Sequence, residues 1–192
     1  MSTILIVPGL RDHTDDHWQL LLATKLMWSR PVRSVQPAGR HNLDLAARVQ
    51  KIQDALASIE GRVTIVAHSA GVLMLAHWAQ WHRRADIVGA LLATPADLET
   101  PMPEGYPTLA ALQKHGWLPV PRAPLPFPSI VAASSNDPLA ALPRVEELAA
   151  DWGSQLVRLG HVGHLNPAFG FGEWPQAEEL IGRLDRSAPL GA

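Results

Sequence analysis

Val63-Thr64-Ile65-Val66-Ala67-His68-Ser69-Ala70-Gly71 is the stretch that decides the fold of this chain. Residues 63–67 are apolar or β-branched, as a strand buried on both faces requires. A helix of apolar character follows from residue 70 to about residue 83. Between them lies the pattern small-x-Ser-x-small. A turn this sharp strains the backbone of its central residue and needs small neighbours. It lifts the serine hydroxyl above the sheet and sets it over the free N–H groups of the helix start, where negative charge is favoured. Ser69 is therefore the candidate nucleophile; the bland alternative is a helix N-cap. Ala67 stands where this turn more often has glycine.

Outward from this turn, short apolar runs alternate with amphipathic segments. Strands are expected at 4–7, 32–35, 63–67, 87–93, 129–133 and 155–159. Helices are expected from Asp15 or Asp16 to about residue 27, from Asn42 or Asp44 to about 59, and over 70–83, 138–152 and 174–184. Trp18, Leu21, Leu22 and Leu26, then Leu45, Val49, Ile52 and Leu56, recur at helical spacing. This is an α/β chain, one domain over residues 1–192, with helices on both faces of a largely parallel sheet. The segment 95–128 breaks the rhythm with a crowd of prolines and one short helix at 108–115. It reads as a cap or pocket wall, or as a packed surface loop.

A serine hydroxyl needs a base beside it, and the base needs an orienting carboxylate. In the α/β-hydrolase fold the order along the chain is Ser, acid, His, with acid and His after late strands. The loop after the sixth strand reads Gly160-His161-Val162-Gly163-His164-Leu165-Asn166-Pro167. His164, deeper in that loop and preceded by glycine, is the candidate base; His161 is read as a pocket-wall or structural group. Asp137 follows the fifth strand directly and is the candidate acid, with helix capping as its alternative role and Asp97 as the alternate acid. With strand order 2-1-3-4-5-6, a crevice opens above strands one and three. The N–H of Ala70 and one from the first loop, that of Leu10 ahead of Gly9 or Arg11, are the expected oxyanion donors. Gly9, Trp117 and Asn166 are candidate substrate contacts.

Composition narrows the rest. The chain has 192 residues, 47% hydrophobic and 18% charged, a net charge of −2 and no cysteine. That excludes disulfides and thiolate chemistry, and no basic stripe suits nucleic acid. Residues 4–7 are too short for a signal segment and no run approaches membrane length, so a soluble cytoplasmic protein is expected. His13 and His17 are four apart but lack the glutamate of a helical zinc motif, so no metal is expected. Helical placement of Trp18, Trp78, Trp81, Trp152 and Trp174 makes core packing the reading for most of them; Trp117, in the irregular segment, is the best candidate to line an acyl pocket, with packing the slightly favoured alternative even there. His17 and Trp18 are expected to brace the first loop, and His68 to be structural.

Five blocks together resemble the YdeN-like family of small serine hydrolases, which includes retinoblastoma-binding protein nine. They are Val7-Pro8-Gly9 with His17-Trp18, His68-Ser69-Ala70-Gly71, Ser135-Asn136-Asp137, Gly163-His164-Leu165-Asn166, and Gly172-Glu173-Trp174-Pro175. The resemblance implies a compact α/β-hydrolase with a reduced cap, a triad of Ser69, Asp137 and His164, and no metal or cofactor. The pocket-protein partner that names the human member is linked to a cysteine-containing motif, which this chain lacks. The expected activity is hydrolysis of a small carboxylic ester or related acyl compound. A binding module on a hydrolase scaffold, or an acyl transferase, is the alternative, and no protein partner is indicated.

Overall fold

The computed structural model describes residues 1–11, 15–39 and 41–187. His13 lies outside the described residues. Strands β1 (Thr3–Val7), β2 (Val32–Ser34), β3 (Val63–His68), β4 (Ile87–Ala93), β5 (Ser129–Ala133) and β6 (Gln155–Arg158) form one sheet in the order β2-β1-β3-β4-β5-β6. Every pairing is parallel. Helices α1 (Trp18–Leu26), α2 (Leu45–Ala57), α3 (Ala70–Trp81), α4 (Leu109–Lys114), α5 (Leu142–Asp151) and α6 (Gln176–Ser187) alternate with the strands.

Strand side chains point alternately to the two faces, which divides the core in two. Leu5, Val7, Ile65 and Ala67 pack with residues of α2, α3 and α5. Ile4, Ile6 and Val66 pack with residues of α1 and α6. Residues of β3, β4 and β5 are buried throughout, which is why these strands read as unbroken apolar runs. Gln19 is fully buried on α1, and its side-chain amide donates to the carbonyls of Val7 (3.2 Å) and Val66 (3.1 Å). It thereby clasps the ends of β1 and β3, the two strands that flank the crevice.

Some boundaries differ from expectation for local reasons. Helix α1 is capped by His17, whose Nδ1 accepts from the N–H of Gln19 at 3.3 Å, and Asp15 and Asp16 remain in the exposed turn before it. Helix α5 starts at Leu142, because Asp137 and Pro138 form a separate tight turn and the N-cap is Ala141. Trp78 is 1% exposed and carries core packing, but Trp81 in the last turn of α3 is 80% exposed.

The segment 95–128 is anchored at both ends. Asp97 pairs with Arg144 of α5 at 3.1 Å, and Arg144 also reaches Glu99 at 2.8 Å. Arg122 pairs with Glu99 and, at 2.9 Å, with Asp151. Between these anchors Leu112 and Trp117 are fully buried in the core with α2 and α3. The Trp117 indole N–H donates to the carbonyl of Leu43 at 2.8 Å. Trp117 thus plugs the core and is not among the residues that line the cleft at Ser69. A large indole gains most where it is wholly desolvated with its N–H satisfied, and this site offers both.

The Trp117 carbonyl in turn lies 3.1 Å from Nε2 of His77. Burial pushes the His77 pKa below its ordinary value, outweighing the carbonyl's opposing effect. The unfolded chain then binds more protons than the folded one, so stability is lost as pH falls below about 6.5 and on through the folded value. Thermal midpoints measured from pH 7 to 5 should fall more steeply for wild type than for His77→Gln. Equal slopes would remove His77 from the account.

Candidate active site

Strand β3 delivers Ser69 to the start of α3 with φ 56° and ψ −130°. Such a conformation costs a non-glycine residue about 1–3 kcal/mol. Ser69 occupies the N-cap position, yet its side chain makes no capping hydrogen bond. The hydroxyl points instead to His164, with Oγ 2.8 Å from Nε2. On the far side of the ring, Nδ1 lies 2.8 Å from Oδ2 of Asp137. The His164 and Asp137 side chains are 4% and 2% exposed, so the pair is shielded from water. A carboxylate at Nδ1 favours the tautomer with its proton there, leaving Nε2 as acceptor toward the serine hydroxyl.

The line is braced by bonds within and between its loops. Oδ1 of Asp137 accepts from the N–H of Leu139 at 2.8 Å. The N–H of Gly163, one residue before His164, donates to Oδ1 of Asn136 at 2.7 Å, tying the His loop to the Asp loop. Gly163 itself has φ 56°, and a Cβ there would fall 2.3 Å from the Phe169 ring, so the curl of this loop requires glycine. His68 reaches across from β3 to the carbonyl of His164, 2.9 Å from its Nε2. The His68 ring lies 5.0 Å from those of both His17 and His164, and Trp18 meets it edge-on. His68 therefore supports the His164 loop from below, and His17 and Trp18 support His68.

The loop after β1 presses against the elbow. A Cβ on Gly71 would fall 2.4 Å from the Pro8 carbonyl oxygen and 2.7 Å from that of Val7. Only glycine at 71 allows this approach, which brings Gly9 and Leu10 beside Ser69. A Cβ on Gly9 would lie 3.2 Å from that of Ser69. Gly9, Leu10 and Ala70 all line the cleft that opens over the serine, as does Asn166. The cleft is about 230 Å³, and Ala96, Met102, Tyr106 and Leu139 form its apolar wall. Asn166 contributes an amide oxygen that is buried without a hydrogen-bond partner.

Two other acid–base candidates are placed elsewhere. His161 is exposed and does not line the cleft. Asp97 is engaged by Arg144, Thr100 and the N–H of Glu99. Met102, Tyr106 and Leu139 went unrecognised in the sequence. Met102 and Tyr106 lie in an irregular segment without periodicity, and Leu139 lies in what reads as a helix start. Among the described residues, no group of three or more His, Cys, Asp or Glu side chains is placed to hold a metal ion.

A family model described as serine hydrolase matches residues 4–183. The chain belongs to the serine hydrolase family. The hydrolase is similar to a crystal structure described as a YdeN-like hydrolase from Pectobacterium atrosepticum. That match has 28% identity and a TM-score of 0.80 and covers 97% of this chain and 92% of the other. The ydeN gene product of B. subtilis matches with 16% identity and a TM-score of 0.76, covering 97% of this chain and 100% of its own. Mouse alpha/beta hydrolase domain-containing protein 10 matches with 14% identity and a TM-score of 0.69, covering 96% and 88%. No curated protein matches the hydrolase at a significant level. Its fold is that of the α/β-hydrolases, and it acts as an enzyme. Among the described residues no helix is long and apolar enough to cross a membrane.

Proposed function

We propose that the hydrolase cleaves small carboxylic esters or related acyl compounds through Ser69, His164 and Asp137. The observation that carries this reading is the continuous line from Asp137 through His164 to Ser69, with 2.8 Å at each step. Nε2 of His164 takes the hydroxyl proton as Oγ attacks the acyl carbon. The resulting oxyanion is received by the N–H groups of Leu10 and Ala70, each worth about 3 kcal/mol in the transition state. His164 then returns the proton to the leaving alkoxide, and an acyl-enzyme forms on Ser69. Water repeats the sequence: His164 removes its proton, the acid is released, and Ser69 recovers its hydrogen.

Asp137 fixes the tautomer and stabilises the imidazolium that forms in each half. Gly9 admits the substrate close to Ser69, and Asn166 lines the same cleft. The apolar wall of Ala96, Met102, Tyr106 and Leu139 suits a short or medium acyl chain.

The test is a fluorophosphonate probe with intact-mass and peptide analysis. One probe should attach, and it should map to Ser69. A panel of 4-nitrophenyl esters of rising chain length should then show kcat/KM rising and falling as the cleft fills. A folded protein that stays unlabelled and inert across the panel would overturn the reading.

A further inference from the structure

Arg11 closes the β1 loop at the mouth of the cleft. Its guanidinium carbon stands 4.1 Å over the centre of the Tyr106 ring, and one terminal nitrogen donates to the carbonyl of Gly105 at 3.0 Å. Both contacts come from the segment 95–128, so Arg11 bridges the two walls of the cleft. Neither contact neutralises it. Among the described residues no carboxylate pairs with Arg11, and none lines the cleft at Ser69. On the other side of Gly9-Leu10-Arg11 lies a narrow cavity lined by Arg11, Arg48 and Lys51, again without a carboxylate. Arg48 is turned to the carbonyls of Gly39 and Asn42. Arg11 and Lys51 form no ion pair among the described residues.

Among the described residues the cleft thus has an apolar wall and a guanidinium at its rim. A guanidinium has five N–H donors in a planar fork that matches a carboxylate. One donor is used by Gly105, and stacking on Tyr106 fixes the plane of the group without consuming the others. We propose that Arg11 selects acyl substrates bearing a terminal carboxylate, which docks on its guanidinium while the chain lies against Met102, Tyr106 and Leu139. This rests on Ser69 being the nucleophile. Gly9 abuts Ser69, and Arg11 is two residues further, within about 7 Å along the chain. Ser69 and Arg11 line the same cleft, with Met102, Tyr106 and Leu139 beside them, so the matching class is acyl compounds whose carboxylate stands several carbons from the scissile carbonyl, half-esters of medium dicarboxylic acids.

The experiment compares mono-4-nitrophenyl adipate with 4-nitrophenyl hexanoate, which share a six-carbon acyl chain and differ only at its far end. Wild type should prefer the adipate ester, with the preference carried by KM and weakened by 0.5 M sodium chloride. Arg11→Gln should lower the adipate-to-hexanoate ratio of kcat/KM at least tenfold, Arg11→Lys less, and Lys51→Gln least. Thermal midpoints of the variants are read alongside. An unchanged ratio in Arg11→Gln, whether both rates hold or both fall together, overturns the proposal. Fluorophosphonate labelling of the same samples separates the two readings. Labelled Ser69 with an unchanged ratio removes only the role of Arg11, whereas unlabelled, inactive protein removes the nucleophile assignment beneath it.

Discussion

Ser69→Ala is expected to lower kcat about 10⁶-fold and to abolish fluorophosphonate labelling, with the fold intact. A loss of that size is typical when the nucleophile of such a unit is removed, and corresponds to about 8 kcal/mol of transition-state stabilisation. What remains is the positioning of the ester and the donors of Leu10 and Ala70. Stability should not fall, because the hydroxyl caps nothing on α3. Its side-chain bond, to His164, is the one the proposed mechanism uses. The strained backbone at φ 56° persists in alanine and is relieved by glycine. Ser69→Gly should therefore be as inactive as Ser69→Ala and melt at a higher temperature. Residual turnover within tenfold of wild type, measured on protein free of contaminating esterase, would contradict the assignment.

Asp137→Asn is expected to lower kcat about 10⁴-fold, near 5 kcal/mol, with little change in KM. The amide preserves the shape of the group and can still accept from Leu139. It can, however, present an N–H to Nδ1, stabilising the tautomer whose Nε2 carries the proton and cannot take another from Ser69. Asp97→Asn is the matched comparison. Its carboxylate binds Arg144, Thr100 and the N–H of Glu99, so the change should lower the thermal midpoint and leave kcat within a few-fold of wild type. If Asp97→Asn instead produced the larger loss of kcat, the acid would have been misassigned. Stopped assays with an activated ester, paired with melting curves, distinguish the two outcomes.

The sheet was legible because its strands obey one simple rule. Residues 87–93 and 129–133 are apolar without alternation, which burial on both faces demands, and both strands occupy those residues. The 2-1-3-4-5-6 order is the one expected of the α/β-hydrolase reading, and the hydrogen-bonded sheet has it. Order along the chain points to Ser69, Asp137 and His164, and the His164 ring lies 2.8 Å from Ser69 on one side and 2.8 Å from Asp137 on the other.

What escaped the sequence depended on competition between local and tertiary effects. Pro138 looks like the first turn of a helix, but the side chain of Asp137 closes a turn on Leu139 and delays α5. Trp117 and Tyr106 lie in the same irregular segment, and nothing in their spacing says which faces inward. The core took the indole, and the cleft took the phenol-bearing ring. His17 caps α1 although imidazole is a rare acceptor at that position, so its place in the sequence suggests a brace and not a cap.

The anchoring of segment 95–128 bears on how new specificities can arise in this scaffold. Its acidic and basic hem at Asp97, Glu99, Arg122 and Arg144 holds the ends, and Leu112 and Trp117 serve as a stopper. A wholesale graft from a relative would have to import its own hem and stopper or leave a hole beneath the sheet. Diversification confined to Met102 and Tyr106 carries no such debt, because both are only partly buried. Laboratory evolution directed at those two positions can therefore explore acyl preference while the chassis and the proton-handling apparatus stay as they are.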